Sequence, residues 1–163
     1  MNGMIKLKTH YNYIEYVIKL AEEKMLDKHG GPFAAIIIKD DAIVGYGYNK
    51  VTSTNDPTAH AEIVAIRDAC NNLGTFNLEN CILYTSCEPC PMCLGAIYWA
   101  RIKEVFYASS REDAKHAGFD DQFIYDEFSR SVETRKIPLN RIVHPEHFEP
   151  FNKWIKMEDK EAY

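Results

Sequence analysis

The sequence predicts an α/β fold, a three-layer α/β/α sandwich around a mixed five-stranded sheet. The chain has 163 residues, of which 46% are hydrophobic and 26% charged, and this suits one globular domain over residues 1–163. Strand-like and helix-like segments alternate between residues 60 and 108, which implies crossover connections, a partly parallel sheet and helices on both faces. A hairpin pattern between residues 33 and 49 adds antiparallel pairing.

Periodicity and turn residues divide the first half of the chain. Apolar residues recur at helical spacing up to the HGGP stretch, which ends the first helix. A buried apolar run and an alternating segment then flank Asp40 and Asp41, and this pattern predicts a β-hairpin. The predicted elements are a helix at 11–28, strands at 33–39 and 42–49, a loop at 51–57 and a helix at 60–71.

The second half continues the alternation and ends in a polar region with a helical tail. CILYT and EVFYA predict short strands, and PMCLGAIYWAR between them predicts a helix that begins at Pro91. In order, we expect a strand at 81–85, a helix at 91–101, a strand at 104–108, a polar loop with a short helix at 109–130, a weak fifth strand at 134–143 and a helical tail at 145–163.

Charge and targeting signals restrict the class of partner. The formal net charge is -5, whereas proteins that mainly bind a phosphate backbone are usually basic, so nucleic acid is disfavoured. No apolar run reaches bilayer length, and the N-terminus lacks the apolar stretch of a signal peptide. We therefore expect a cytoplasmic chain without membrane association. Thiols stay reduced there, and the odd count of five cysteines agrees with that.

Three of the cysteines, Cys87, Cys90 and Cys93, lie in the stretch SCEPCPMC. A helix that begins at Pro91 places Cys90 and Cys93 at its N-terminus. The partial positive charge of that terminus favours the thiolate, which is the form that binds metal.

The stretch TAHAEI supplies the other half of a metal site. His60 begins a second helix, and Glu62 follows two residues later. Two helix N-termini that each follow a strand can converge, one with an imidazole and the other with two thiolates. Three such ligands leave a fourth position of a zinc ion open to water, as in catalytic rather than structural sites. The pattern H-x-E … P-C-x-x-C is the signature of zinc deaminases.

Two other interpretations of the thiols compete with this one. Cys90 and Cys93 could form a redox pair, but His60 and Glu62 would then have no role. Cys87 could complete a closed structural zinc site, which would leave no position for water. We expect instead that Cys87 lies outside the ligand set and packs beside it.

The chain resembles the cytidine deaminase-like superfamily, and within it the short bacterial guanine deaminases. The resemblance rests on GGPFAAIIIKD, NDPTAHAEIVAIR, CILYTSCEPCPMCLGAIYWAR, GFDDQFIY and the terminal tyrosine. It implies a cytidine deaminase-like fold, one zinc ion per chain, and hydrolysis of guanine to xanthine and ammonia in purine salvage or catabolism. A tRNA adenosine deaminase, a guanosine or other aminopurine deaminase, and a non-enzymatic zinc-stabilised binding module remain alternatives.

For such a reaction the sequence offers several site residues. Glu62 can take a proton from water and return it to the substrate. Phe33 could stack on a purine or pack in the core, and the Asn49 amide could donate and accept on a purine edge or end a strand. The main-chain N–H groups near Ala61 could hold a carbonyl. The resemblance implies that Asp121 helps to handle the amine of the substrate, although Asp121 could instead cap a helix.

The tail suggests a shared active site. Its apolar stripe needs a partner surface, which could be its own domain. The resemblance implies a homodimer in which residues 145–163 are exchanged, so that Tyr163 of one chain closes the site of the other and donates a hydrogen bond to the base. The apolar residues of the stripe are Phe148, Phe151, Trp154 and Ile155.

Overall fold

In the computed structural model, residues 9–162 are the described part of the chain, so Tyr163 and its predicted role lie outside the described residues. The chain divides into two compact units, of which the first ends at Asp121 and the second begins at Gln122. No helix within residues 9–162 combines the length and the apolar content that a bilayer crossing requires.

The first unit carries the sheet. The elements predicted between residues 11 and 108 are present, with ends shifted by at most two residues, and the expected loop at 51–57 contains a one-turn helix. The helices are α1 (His10–Leu26), α2 (Val51–Thr54), α3 (Ala61–Leu73), α4 (Pro91–Trp99) and α5 (Arg111–His116), and the strands are β1 (Ala34–Lys39), β2 (Ala42–Tyr48), β3 (Ile82–Cys87) and β4 (Glu104–Ser109).

The sheet is mixed, as predicted, but within residues 9–162 it has four strands rather than five. Its order is β2-β1-β3-β4, with β1 antiparallel to both β2 and β3, and β3 parallel to β4. The weak strand predicted at 134–143 is wrong, since this segment is irregular beyond a 3-10 turn at Val132–Thr134. Pro138 has no N–H to donate to a ladder, which disfavours a strand there.

Alternate residues of the central strands face two separate helical layers. Ile36, Ile38 and Tyr84 pack against α1 in one buried cluster. Ala35, Ile37 and Leu83 point the other way, into a cluster with the alanines of α3 and with α4. Because side chains alternate along a strand, helices cover both faces of the sheet, which gives the predicted α/β/α layering within this unit.

Two glycines of β2 allow α3 to approach the sheet closely. A Cβ added to Gly47 would collide with the Ala61 carbonyl oxygen and lie 2.5 Å from the Ala65 nitrogen. A Cβ on Gly45 would lie 2.6 Å from the Ala65 carbonyl oxygen. Backbone atoms of a packed helix cannot move aside cheaply. These glycines therefore set how closely the N-terminal turn of α3 lies over the sheet.

The second unit contains two helices among its described residues, α6 (Gln122–Ser129) and α7 (Glu149–Lys156). The predicted tail helix is present as α7, although it is shorter than expected. Neither helix has a buried residue, and the apolar side chains of the predicted stripe are 39–61% exposed. This unit thus has large apolar side chains exposed on both of its helices.

Candidate active site

The candidate site lies where the N-termini of α3 and α4 meet. His60 is the N-cap of α3 and Cys90 is the N-cap of α4, each with extended backbone, and Pro91 occupies the first turn of α4. The His60 Nδ1 atom lies 3.5 Å from Cys90 Sγ and 3.6 Å from Cys93 Sγ. The structure therefore brings together the three residues that the sequence predicted as metal ligands.

The three donor atoms have the spacing that a tetrahedral zinc ion requires. All of them lie within 4.8 Å of one another. Ligands at about 2.3 Å for sulfur and about 2.05 Å for nitrogen on a tetrahedral ion stand about 3.6 Å apart, which matches the two Sγ–Nδ1 distances. One imidazole and two thiols also form a donor set that zinc prefers. Three ligands leave one tetrahedral position open.

Electrostatics within the group favour a thiolate at Cys90. Contact with the Cys93 side chain lowers the pKa of Cys90, and the hydrogen bond with His60 adds to this effect. The same His60–Cys90 bond raises the pKa of His60. The hydrogen bond to Cys90, together with burial, raises the pKa of Cys93. A zinc ion takes both cysteines as thiolates and His60 as a neutral imidazole, so metal binding would release the protons that these groups hold.

Cys87 lies apart from this group. Its Sγ points to the Ser110 carbonyl oxygen at 3.7 Å, and burial raises the pKa of its thiol to about 11. Among residues 9–162, the group that could hold a metal contains His60, Cys90 and Cys93 alone.

Glu62 lies in the first turn of α3 and is only 6% exposed. Its Oε1 accepts a hydrogen bond from Thr85 Oγ1 at 3.2 Å, and its Oε2 accepts one from Cys93 Sγ at 3.4 Å. Burial raises the pKa of this carboxyl above its ordinary value. A buried carboxylate beside a metal site can both accept and return a proton.

Asn49 is held in one orientation by the loop around it. Its Oδ1 accepts hydrogen bonds from the N–H groups of Gly31 and Val51, each at 3.2 Å. Because both partners are donors, the oxygen must face them and the NH2 group must face away. A Cβ on Gly30 would collide with this Oδ1, so glycine is needed there. The donor half of the amide is thus directed away from these two N–H groups, whereas the sequence suggested that both halves could meet a purine.

Phe33 immediately precedes β1, and Asp121 ends the first unit. The Phe33 carbonyl oxygen accepts a hydrogen bond from the Asn49 N–H at 2.9 Å. The Phe33 ring packs edge to face against the Phe119 ring, with the ring centroids 4.9 Å apart. Burial raises the pKa of Asp121, and the nearby charge of Cys90 adds to the effect. Asp121 therefore lies within electrostatic range of the metal-binding group.

Three residues around the site escaped the sequence analysis: Gly30, Thr85 and Phe119. Two hydroxyl residues in the otherwise apolar strand ILYTSC were a usable signal for Thr85, because a buried hydroxyl needs a partner. Phe119 carried no such signal, since an aromatic residue in a polar loop has many possible roles. The close approach at Gly30 involves Asn49, which is not a neighbour in sequence, so no local pattern indicated it.

A separate cavity of about 310 Å³ lies at the other end of the sheet, beside the β1–β2 turn. Its lining includes His10, Tyr13, Asp41 and Tyr84, and none of the predicted site residues contributes to it.

Comparison with known proteins agrees with the site geometry. Residues 7–109 match the family model of the cytidine and deoxycytidylate deaminase zinc-binding region. The chain is 53% identical over 154 residues to guanine deaminase from Bacillus subtilis, with 94% of this chain and 99% of that protein covered. A tRNA-specific adenosine deaminase from Aquifex aeolicus is 41% identical over 117 residues, with 69% and 76% covered.

A solved structure extends the comparison to the fold. The X-ray structure of guanine deaminase from Bacillus subtilis superposes with a TM-score of 0.94 and 52% identity, and covers 96% of this chain and 99% of that one. The region matched by the family model contains His60, Cys90 and Cys93.

Proposed function

The chain belongs to the zinc-dependent cytidine and deoxycytidylate deaminase family, and on that premise we propose that it hydrolyses guanine to xanthine and ammonia with one zinc ion per chain. The observation that carries this proposal is the convergence of one imidazole and two thiols with Glu62 beside them. A cytoplasmic location and a role in purine salvage or catabolism are part of the proposal.

Glu62 is the proton carrier in the proposed reaction. When bound, zinc lowers the pKa of water towards neutrality and so supplies a nucleophile for the ring carbon that bears the amine. Glu62 accepts one proton from water and passes it to a ring nitrogen as the new C–O bond forms. It then takes the second proton from the added hydroxyl and delivers it to the amine as the C–N bond breaks. Guanine and water are thereby converted to xanthine and ammonia. Burial raises the pKa of Glu62 and so makes its carboxylate a stronger proton acceptor.

We assign the remaining contacts to substrate orientation. Asn49 presents its NH2 group to an acceptor on the purine, such as O6 or a ring nitrogen. Ala61 begins α3, where main-chain N–H groups lack helical partners and can hold a carbonyl oxygen. Phe33 lies against the ring face. Asp121 accepts hydrogen bonds from the 2-amino group, which adenine lacks.

The proposal includes a homodimer. Residues 1–163 would form one deaminase domain whose tail, residues 145–163, packs on a second copy of the chain. The exposed apolar side chains of α7 support this arrangement, because contiguous apolar surface of this kind marks protein–protein interaction sites. The closure of the neighbouring site by Tyr163 stays a prediction from the sequence.

The main rival is deamination of adenosine in tRNA, which the relative from Aquifex aeolicus performs according to its name. That match covers 69% of this chain, against 94% for the guanine deaminase. The net charge of -5 is also poorly suited to binding a polyanion.

A substrate panel separates these activities. Ammonia release is measured for the zinc-loaded chain with guanine, guanosine, adenine, cytosine and cytidine, and inosine formation is measured with tRNA. We expect guanine to be the preferred substrate by kcat/KM. A preference for guanosine would make the nucleoside, rather than the free base, the proposed substrate. Deamination of tRNA but not of guanine would overturn the proposal.

A further inference from the structure

Thr85 lies in β3 with its hydroxyl directed at the proposed proton carrier. It is 1% exposed and pairs in register with Ala35 of β1 and Tyr107 of β4, so its backbone is fixed by strands on both sides. Its Oγ1 lies 3.2 Å from Glu62 Oε1 and 3.4 Å from the Ala34 carbonyl oxygen.

The hydroxyl carries one hydrogen, so these two acceptors compete for it. The carboxylate is the closer of the two, and hydrogen bonds to ionised acceptors are about twice as strong as those between neutral groups. Thr85 therefore donates to Glu62 whenever that carboxyl is ionised.

The other oxygen of Glu62 faces the metal-binding group. In the metal-free site Oε2 accepts from the Cys93 thiol. A cysteine that binds zinc is a thiolate and has no proton to donate. Zinc binding would therefore remove that bond, and of the two side-chain donors to Glu62 shown among residues 9–162, Thr85 would be the one that keeps its proton.

We propose that Thr85 is a positioning residue that holds Glu62 through Oε1 and so keeps Oε2 directed at the reacting atoms. This inference rests on the proposed function, because it gives Thr85 a task only if Glu62 transfers the proton. A fixed carboxylate reacts from one geometry, whereas a carboxylate without this bond would rotate among several, of which few are productive.

The test compares four proteins: wild type, Thr85→Val, Thr85→Ser and Ser86→Ala. Valine matches the shape of threonine and lacks the hydroxyl, while serine restores it. Ser86 is the matched control, because its buried hydroxyl on the next position of β3 accepts from the Ala34 N–H at 3.1 Å and does not contact Glu62. Zinc content, unfolding temperature, kcat and KM are measured for each, and Thr85→Ala replaces Thr85→Val if the latter fails to fold.

We expect Thr85→Val to keep its zinc and a KM near the wild-type value and to lose about 10- to 100-fold in kcat, as the loss of a hydrogen bond to a charged group implies. Thr85→Ser should recover most of that loss. Ser86→Ala should lower the unfolding temperature without a comparable change in kcat. In a Glu62→Gln background, Thr85→Val should leave the residual kcat unchanged, because the two residues act as a unit.

Three results would overturn the inference: an unchanged kcat for Thr85→Val, an equal loss for Ser86→Ala, or an undiminished effect of Thr85→Val in the Glu62→Gln background. A crystal structure of the zinc-loaded protein gives an independent check. Separation of Thr85 Oγ1 from Glu62 beyond hydrogen-bond distance would refute the inference even with guanine turnover intact. If the zinc-loaded wild type does not deaminate guanine although the Thr85–Glu62 bond is present, the proposed function is refuted instead.

Discussion

Substitution of Gly47 by alanine tests how the sheet positions the metal site. The added Cβ would collide with the Ala61 carbonyl oxygen and lie 2.5 Å from the Ala65 nitrogen and 3.0 Å from Val64 Cβ. These contacts can be relieved only if the first turn of α3 moves away from β2. Overpacking of this kind costs about 1–3 kcal/mol, and for a chain of this size that corresponds to roughly 2–12 °C in unfolding temperature.

The same movement would carry His60 away from the thiols of α4. Gly47→Ala should therefore lose zinc to a competing chelator faster than the wild type. Gly95→Ala is the matched control, because a Cβ there meets no atom within 4 Å, and alanine in a helix interior stabilises by about 0.5–1 kcal/mol. Thermal unfolding and chelator competition are measured for both variants. An unfolding temperature and a zinc release rate of Gly47→Ala equal to wild type would show that α3 is not held as described.

Three further predictions concern other parts of the first unit. The buried Tyr13 hydroxyl has no hydrogen-bond partner among residues 9–162, so Tyr13→Phe should raise the free energy of unfolding by about 1 kcal/mol. Tyr84→Phe removes a hydroxyl that is hydrogen-bonded to His10 at 2.7 Å, so it should lower the free energy of unfolding. Chemical denaturation measures both changes. Cys90→Ala should lose zinc in metal analysis while Cys87→Ala keeps one equivalent, and loss of zinc from both would place Cys87 among the ligands. Asp121→Asn should lower guanine turnover with little change in unfolding temperature, whereas unchanged turnover would assign Asp121 a structural role.

Local patterns were sufficient for most of the fold. The strands of the hairpin follow from a buried apolar run and an alternating segment. Both turn residues, Asp40 and Asp41, have the positive φ values that such a turn requires. The segment at 134–143 shows the limit of this approach. Its scattered apolar residues suggested a strand, but a strand also needs a neighbour with which to exchange backbone hydrogen bonds.

The metal-binding group was predictable for a different reason. The spacings of His60, Cys90 and Cys93 are local to two helix N-termini, and the chemistry of the side chains limits what they can do together. The bond between Thr85 and Glu62 joins residues 23 positions apart in sequence, and the contact of Phe33 with Phe119 spans a still longer separation. Such contacts depend on tertiary packing, which no local pattern records.

Hydrolysis of guanine in water enriched in oxygen-18 tests the central claim most directly. The zinc-loaded wild type and Glu62→Gln are incubated with guanine, and xanthine is analysed by mass spectrometry while ammonia is quantified. If Glu62 and the open metal position act as proposed, the wild type forms xanthine that carries one heavy oxygen, with an equal amount of ammonia, and Glu62→Gln forms almost none. Unchanged guanine with the zinc-loaded wild type, or equal xanthine formation by Glu62→Gln, would contradict the account.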